Sequence, residues 1–97
     1  MTDEPTQTFA SIWDALAETP DEAATMRRRA ELALAIGQAV EGWNLSQSQA
    51  AARLGITQPR LNDLLRGRLD RFSLDTLMAL AERAGLAVEM RITRVAA

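Results

Sequence analysis

The sequence contains no histidine, no cysteine, no tyrosine and no lysine, and all 11 of its basic residues are arginine. Each absence removes a class of chemistry. Without histidine there is no imidazole acid–base catalyst, and without cysteine there is no thiol nucleophile. Cys/His zinc sites are excluded as well. Without lysine neither a Schiff base nor a phosphate-loop lysine is available. Carboxylate or Ser/Thr catalysis survives on paper, but no spacing in the chain supports it, so the expectation is a protein that is not an enzyme. No metal site and no cofactor are expected. No apolar run approaches the roughly 18 residues of a membrane span. The first 20 residues lack a basic stretch and an apolar core, so no secretory signal is expected. A chain without disulfides fits a reducing cytoplasm.

What is present is an ordinary globular balance: 97 residues, 47% hydrophobic and 25% charged. One domain is expected. A chain of this size buries about 60–65% of its unfolded surface, so its core is small. The net charge of −2 conceals two opposed regions. Residues 1–25 hold six acids and no base, giving −6; residues 26–97 hold all 11 arginines against seven acids, giving +4. Phosphate binding needs a local basic face and not a basic protein, so the acidic total does not exclude nucleic acid.

Three segments follow from the patterning: an acidic N-terminal segment over 1–19, a helical domain over 20–85, and a strand and tail over 86–97. Residues 1–8 are polar and read as disordered. Phe9, Ile12, Trp13 and Leu16 then fall at i, i+3, i+4 and i+7, one face of a short amphipathic helix. Thr19 and Pro20 interrupt it. A second helix starts near Pro20, with Asp21 and Glu22 at its positive end, and runs to about Gly42. Its expected buried stripe is Leu32, Ile36, Ala39, Val40 and Trp43. Ser46 and Gln49 form a capping box for the next helix, and Gly55 suits a left-handed stop. Thr57 caps the following helix, which Gly67 ends. Ser73 caps another, closed by Gly85.

Over residues 86–94 the period changes to two. Leu86, Val88, Met90 and Ile92 alternate with Ala87, Glu89, Arg91 and Thr93, which reads as a half-buried strand. A lone strand leaves its backbone groups unpaired. The simplest partner is the same strand of a second copy, antiparallel about a two-fold axis near Met90, which sets Glu89 against Arg91 of the other copy. The alternative is an extension with no ordered partner.

Residues 47–66 (QSQAAARLGITQPRLNDLLR) carry the main signal. A helix-turn-helix needs a small residue where its helices touch, and Ala51 is there. Four residues on, the tight turn wants glycine, and Gly55 is there. Ala50, Leu54, Ile56, Leu61 and Leu64 are placed to lock the corner. On the second helix, Leu61, Leu64 and Leu65 are expected in the core. The opposite side carries Pro59, Asp63 and Arg66, flanked by Arg60 and Asn62, with Gln58 at the end that usually meets base edges. Arginine can fork onto guanine, and glutamine or asparagine can pair with adenine. Gln47 begins the preceding helix, where an amide and free N–H groups suit a phosphate. Arg53, Arg66, Arg68 and Arg71 suit backbone neutralisation. Residues 44–72 hold five arginines against Asp63 and Asp70, a local +3. Other readings stay open: Arg60 as a solvated surface charge, Asp63 as acceptor from a cytosine amine or as partner of Arg66, and Arg68 and Arg71 as plain solubility. Trp43 and Phe72 read as core.

With these residues in view, the chain resembles the Xre/Cro-type helix-turn-helix regulators, and more narrowly the HigA-like antitoxins. The broad likeness rests on LSQSQAAARLGITQPRLNDLLRG, residues 45–67. The narrower one adds FASIWDAL, SLDTLMALAERAGL and LAVEMRI. The resemblance implies an all-α, lambda-repressor-like, five-helix domain with one C-terminal strand pairing across a homodimer. It implies binding to an inverted-repeat operator in the chain's own promoter, and neutralisation of a small basic RelE/HigB-type toxin. Recognition positions carried over are Gln58, Pro59, Arg60 and Asn62, with Gln47 at the preceding helix start; Pro59 offers no hydrogen bond. The apolar stripe Phe9, Ile12, Trp13 and Leu16, inside the acidic segment, would mask the toxin or pack on the domain's own core. A stand-alone regulator and a helix-turn-helix used only for protein contacts are the alternatives. The location implied is the cytoplasm, on the nucleoid.

Overall fold

The computed structural model describes residues 19–96. Among them are four α-helices: α1 (Pro20–Gly42), α2 (Gln47–Leu54), α3 (Gln58–Leu65) and α4 (Leu74–Arg83), with a 3-10 turn at Leu69–Arg71 between the last two. Helix α1 starts at Pro20, as expected, and α2, α3 and α4 start at the expected caps Ser46, Thr57 and Ser73. The expected helix carrying Phe9, Ile12, Trp13 and Leu16 lies outside the described residues, so four helices, and not five, are described.

Each helix starts on a side-chain cap. Thr19 Oγ1 accepts from the Glu22 N–H at 3.1 Å, with Pro20 in the first turn. At α2 the capping box closes both ways: Ser46 Oγ accepts from the Gln49 N–H, and Gln49 Oε1 accepts from the Ser46 N–H, each at 3.1 Å. Thr57 and Ser73 cap α3 and α4 in the same manner. These caps satisfy amides that a helix start leaves without partners.

The stops of α2, α3 and α4 share one geometry. At Gly55 the backbone turns left-handed (φ 73°), and the Gly55 and Ile56 N–H groups bond the Ala52 and Ala51 carbonyls. This is the double-bonded stop that favours glycine because a Cβ is strained there. Gly67 (φ 78°) repeats it, and its bonds from Gly67 to the Leu64 carbonyl and from Arg68 to the Asp63 carbonyl turn the chain back across α3. After α4, the Gly85 and Leu86 N–H groups bond Glu82 and Ala81.

α1 lies across α4, α3 and the 3-10 turn, while α2 packs on α3 and α4. The core draws Ala30, Ala33 and Ile36 from α1; Ala50, Ala51 and Leu54 from α2; Leu61 and Leu64 from α3; Leu69 from the 3-10 turn and Phe72 just after it; and Leu77, Leu80 and Ala81 from α4. The expected stripe on α1 is therefore shifted. Ile36 is its centre, but Ala30 and Ala33 fill the fully buried positions, and Leu32, Ala39, Val40 and Trp43 pack at the margin. Leu65 corrects a second expectation. It is 43% exposed, not buried. Leu64 and Leu65 sit about 100° apart on the helix, and only Leu64 faces inward. Leu65 leans over α1, where a Cβ placed on Gly37 would lie 3.6 Å from its Cδ2.

The tail departs most from expectation. Residues 86–96 form no strand, because no other extended segment among the described residues offers them a ladder. The alternation survives only at its start: Leu86 and Val88 pack against the core. Met90, Ile92 and Val95 stand 74%, 85% and 86% exposed.

Candidate nucleic-acid interface

The two helices that make the corner, α2 and α3, present their N-termini side by side. Gln47 opens α2 and Gln58 opens α3. The Gln58 amide Nε2 donates to Gln47 Oε1 at 3.5 Å, at the long limit of a hydrogen bond. Both caps, Ser46 and Thr57, fix the backbone beneath these amides. The corner is held from beyond the motif too. Arg83 Nη1, on α4, donates to the Leu54 carbonyl at 3.2 Å and lies 3.4 Å from where a Gly55 Cβ would stand. Nothing local in the sequence pairs positions 29 apart; the only signal was an arginine in a helix's last turn, where cations are favoured.

Along α3, Gln58 and Pro59 are exposed, and Arg60, Asn62 and Asp63 are half-buried. Arg60 folds back against the domain. Its guanidinium lies over the Phe72 ring at 4.1 Å, and its Nη1 donates to the Arg71 carbonyl at 2.7 Å. Phe72 is in the core, as expected, and offers only its face. Trp43 gives a similar platform to Arg53, with the guanidinium 4.0 Å from the ring.

Asp63 does not hold Arg66. Its Oδ1 accepts from Arg68 Nη1 at 3.0 Å and its Oδ2 from Arg71 Nη1 at 3.1 Å. Partial withdrawal from water pushes its carboxyl up, but the hydrogen bonds and positive charge of Arg71 and Arg68 outweigh this and hold it below the ordinary aspartate value. Asp63 is therefore an ionised acceptor at neutral pH. Arg66 caps the end of α3 and is exposed, with no ion-pair partner among the described residues. The structure thus gathers Gln47, Gln58, Pro59, Arg60, Asn62, Asp63, Arg66 and Arg68 around one helix and the turn after it. Arg71, expected only as a backbone contact or a solubilising charge, joins them through Asp63, and Phe72, expected in the core alone, adds a stacking surface.

Comparison with family descriptions matches residues 15–93 to a helix-turn-helix domain. The chain belongs to that family. As a helix-turn-helix protein it carries α2 and α3 as the paired helices of the motif, and the family points to a regulator that binds DNA. Comparison with curated proteins finds no match. No helix among the described residues is long and apolar enough to cross a membrane.

Proposed function

We propose that the chain is a homodimeric, sequence-specific repressor that binds an inverted-repeat operator in duplex DNA and acts by binding, not catalysis. The observation that carries this is the exposed amide pair Gln47–Gln58, set on two capped helix ends beside a turn that holds Arg68 and Arg71. Amides of this kind read adenine edges. Helix ends and arginines hold phosphates. The dimer is supported by Met90 and Ile92, apolar side chains left in water by a single copy. A second copy, antiparallel through residues 86–94, covers them and sets Glu89 against Arg91. Leu86 and Val88 remain on each copy's own core, so the pairing faces are Met90 and Ile92.

Gln58→Ala should cost about 1–3 kcal/mol on the preferred duplex and little on random DNA. Fluorescence titration at several salt concentrations measures both. Wild-type affinity should fall steeply with salt, by about 0.9 log units per log unit of salt for each phosphate neutralised. Affinity indifferent to salt and sequence would favour a helix-turn-helix that contacts only protein.

The finer reading is an antitoxin, acting in the cytoplasm on the nucleoid beside its own operon. It is supported by the −6 charge of residues 1–25, which suits a small basic RelE/HigB-type toxin through electrostatic steering. Phe9, Ile12, Trp13 and Leu16 lie outside the described residues. Removing residues 1–18 keeps the Thr19 cap and should abolish toxin neutralisation while sparing duplex binding. A co-expression growth assay tests it. Neutralisation by the shortened chain leaves a stand-alone regulator.

A further inference from the structure

Arg68 and Arg71 sit five and eight residues beyond Asp63, yet both converge on its carboxylate. Two backbone features bring them there. The left-handed turn at Gly67 bonds the Arg68 N–H to the Asp63 carbonyl, folding Arg68 back over α3. The 3-10 turn, anchored by buried Leu69, then returns Arg71 to the same side. Arg60 ties the far end by donating to the Arg71 carbonyl while stacked on Phe72. An isolated surface ion pair contributes little, but here one carboxylate fixes two guanidinium groups and a third guanidinium fixes the Arg71 backbone.

The exposure of the three groups is unequal. The Asp63 side chain is 16% exposed, against 44% for Arg68 and 54% for Arg71. Each guanidinium carries five N–H donors, and each gives only one nitrogen to Asp63. The remaining donors have no protein partner among the described residues, and the trio keeps a net charge of +1.

Resting on the DNA-binding reading above, we propose that Asp63 is a positioning residue. It holds Arg68 and Arg71 as a preformed two-guanidinium clamp for one backbone phosphate of duplex DNA at the end of α3. Side chains ordered beforehand do not lose that freedom on binding. The benefit appears only where the duplex is seated in full register. On random duplex the Asp63 charge merely opposes the phosphates.

The test compares Asp63→Asn with wild type on two probes: a pool of randomised duplexes, and the duplex that the wild-type chain enriches from that pool. Asp63→Asn should lower affinity for the enriched duplex about tenfold. For the pool it should leave affinity unchanged or raise it about twofold, because a negative charge is gone. Preference therefore falls at least tenfold. A merely structural role lowers both affinities alike. Asp63→Glu, which keeps the carboxylate, should recover part of the preference. Asp70→Asn removes the same charge from the neighbouring turn without releasing an arginine and should leave preference intact. If Asp63→Asn folds poorly by circular dichroism, the double variant Arg68→Gln/Arg71→Gln serves instead. It should flatten the salt dependence on the enriched duplex by about 0.9 units, the share of the one phosphate held. Preference within twofold of wild type in Asp63→Asn, or an unaltered salt slope in the double variant, overturns the clamp. A wild-type chain that enriches no duplex removes the DNA-binding reading, and the clamp with it.

Discussion

Replacing Leu61 by alanine is expected to destabilise the domain by about 2–5 kcal/mol, the cost of a cavity at a fully buried leucine. For a domain of this size that corresponds to a fall in melting temperature of roughly 10–30 °C. The loss is a large fraction of a total stability of about 5–15 kcal/mol. Leu61 has no exposed surface and lies in the same cluster as Ala50, Ala51 and Leu54 of α2 and Leu77 and Leu80 of α4. Its truncation therefore loosens the corner and its support together. Leu65→Ala, four residues on and partly in water, should cost under about 1 kcal/mol, in line with a surface site. Thermal unfolding followed by circular dichroism ranks the two. A larger loss at Leu65 than at Leu61 would reverse the assignment of which face of α3 is inward.

Ending the chain after Val88 should have an equally large effect on a different quantity. The shortened chain keeps Leu86 and Val88 against the core, so its folding should be little altered. It loses Glu89, Met90, Arg91 and Ile92, the residues proposed to meet across the two-fold axis. Linking two binding units raises affinity by about 10²–10⁴-fold without any new contact. The shortened chain should forfeit that factor on a duplex with two half-sites and bind a single half-site as before. Sedimentation should report a monomer. A shortened chain that still sediments as a dimer and grips the full operator removes residues 89–97 from the association.

The parts of this structure that could be read from sequence are those decided by neighbours a few residues apart. Ser46 with Gln49, Thr57 with Arg60, Ser73 with Thr76 and the left-handed turn at Gly55 each complete their bonding within a single helical turn, so composition at fixed offsets was enough. Ala30 and Ala33 were missed because the expected stripe was anchored on the bulkier Leu32, which packs at the margin, while the small Ala30 and Ala33 take the core row that leads to Ile36. The partners of Asp63 were missed for another reason. A spacing rule along one helix offers Arg66, but the turn at Gly67 leaves the helix and delivers Arg68 and Arg71 instead. Arg60 was read by residue type as a base contact or a surface charge; its seat on the aromatic face of Phe72, 12 positions away, lay beyond any local rule. The two-residue period over 86–94 was legible too, but a ladder needs a second strand, which one copy does not supply.

The junction between α4 and the tail carries one more consequence. Ala84 is buried, the Gly85 and Leu86 N–H groups bond back to α4, and Arg83 fastens α4 to the corner through the Leu54 carbonyl. Leu86 and Val88 also pack on the core, so the chain is held to the domain up to the segment that would join two copies. In the proposed dimer the protein then behaves as a stiff ruler and not as two grips on a tether. Its operator halves would have to keep a fixed spacing and helical phase, and a target with a base pair inserted between them would be out of reach even with every contacted base unchanged.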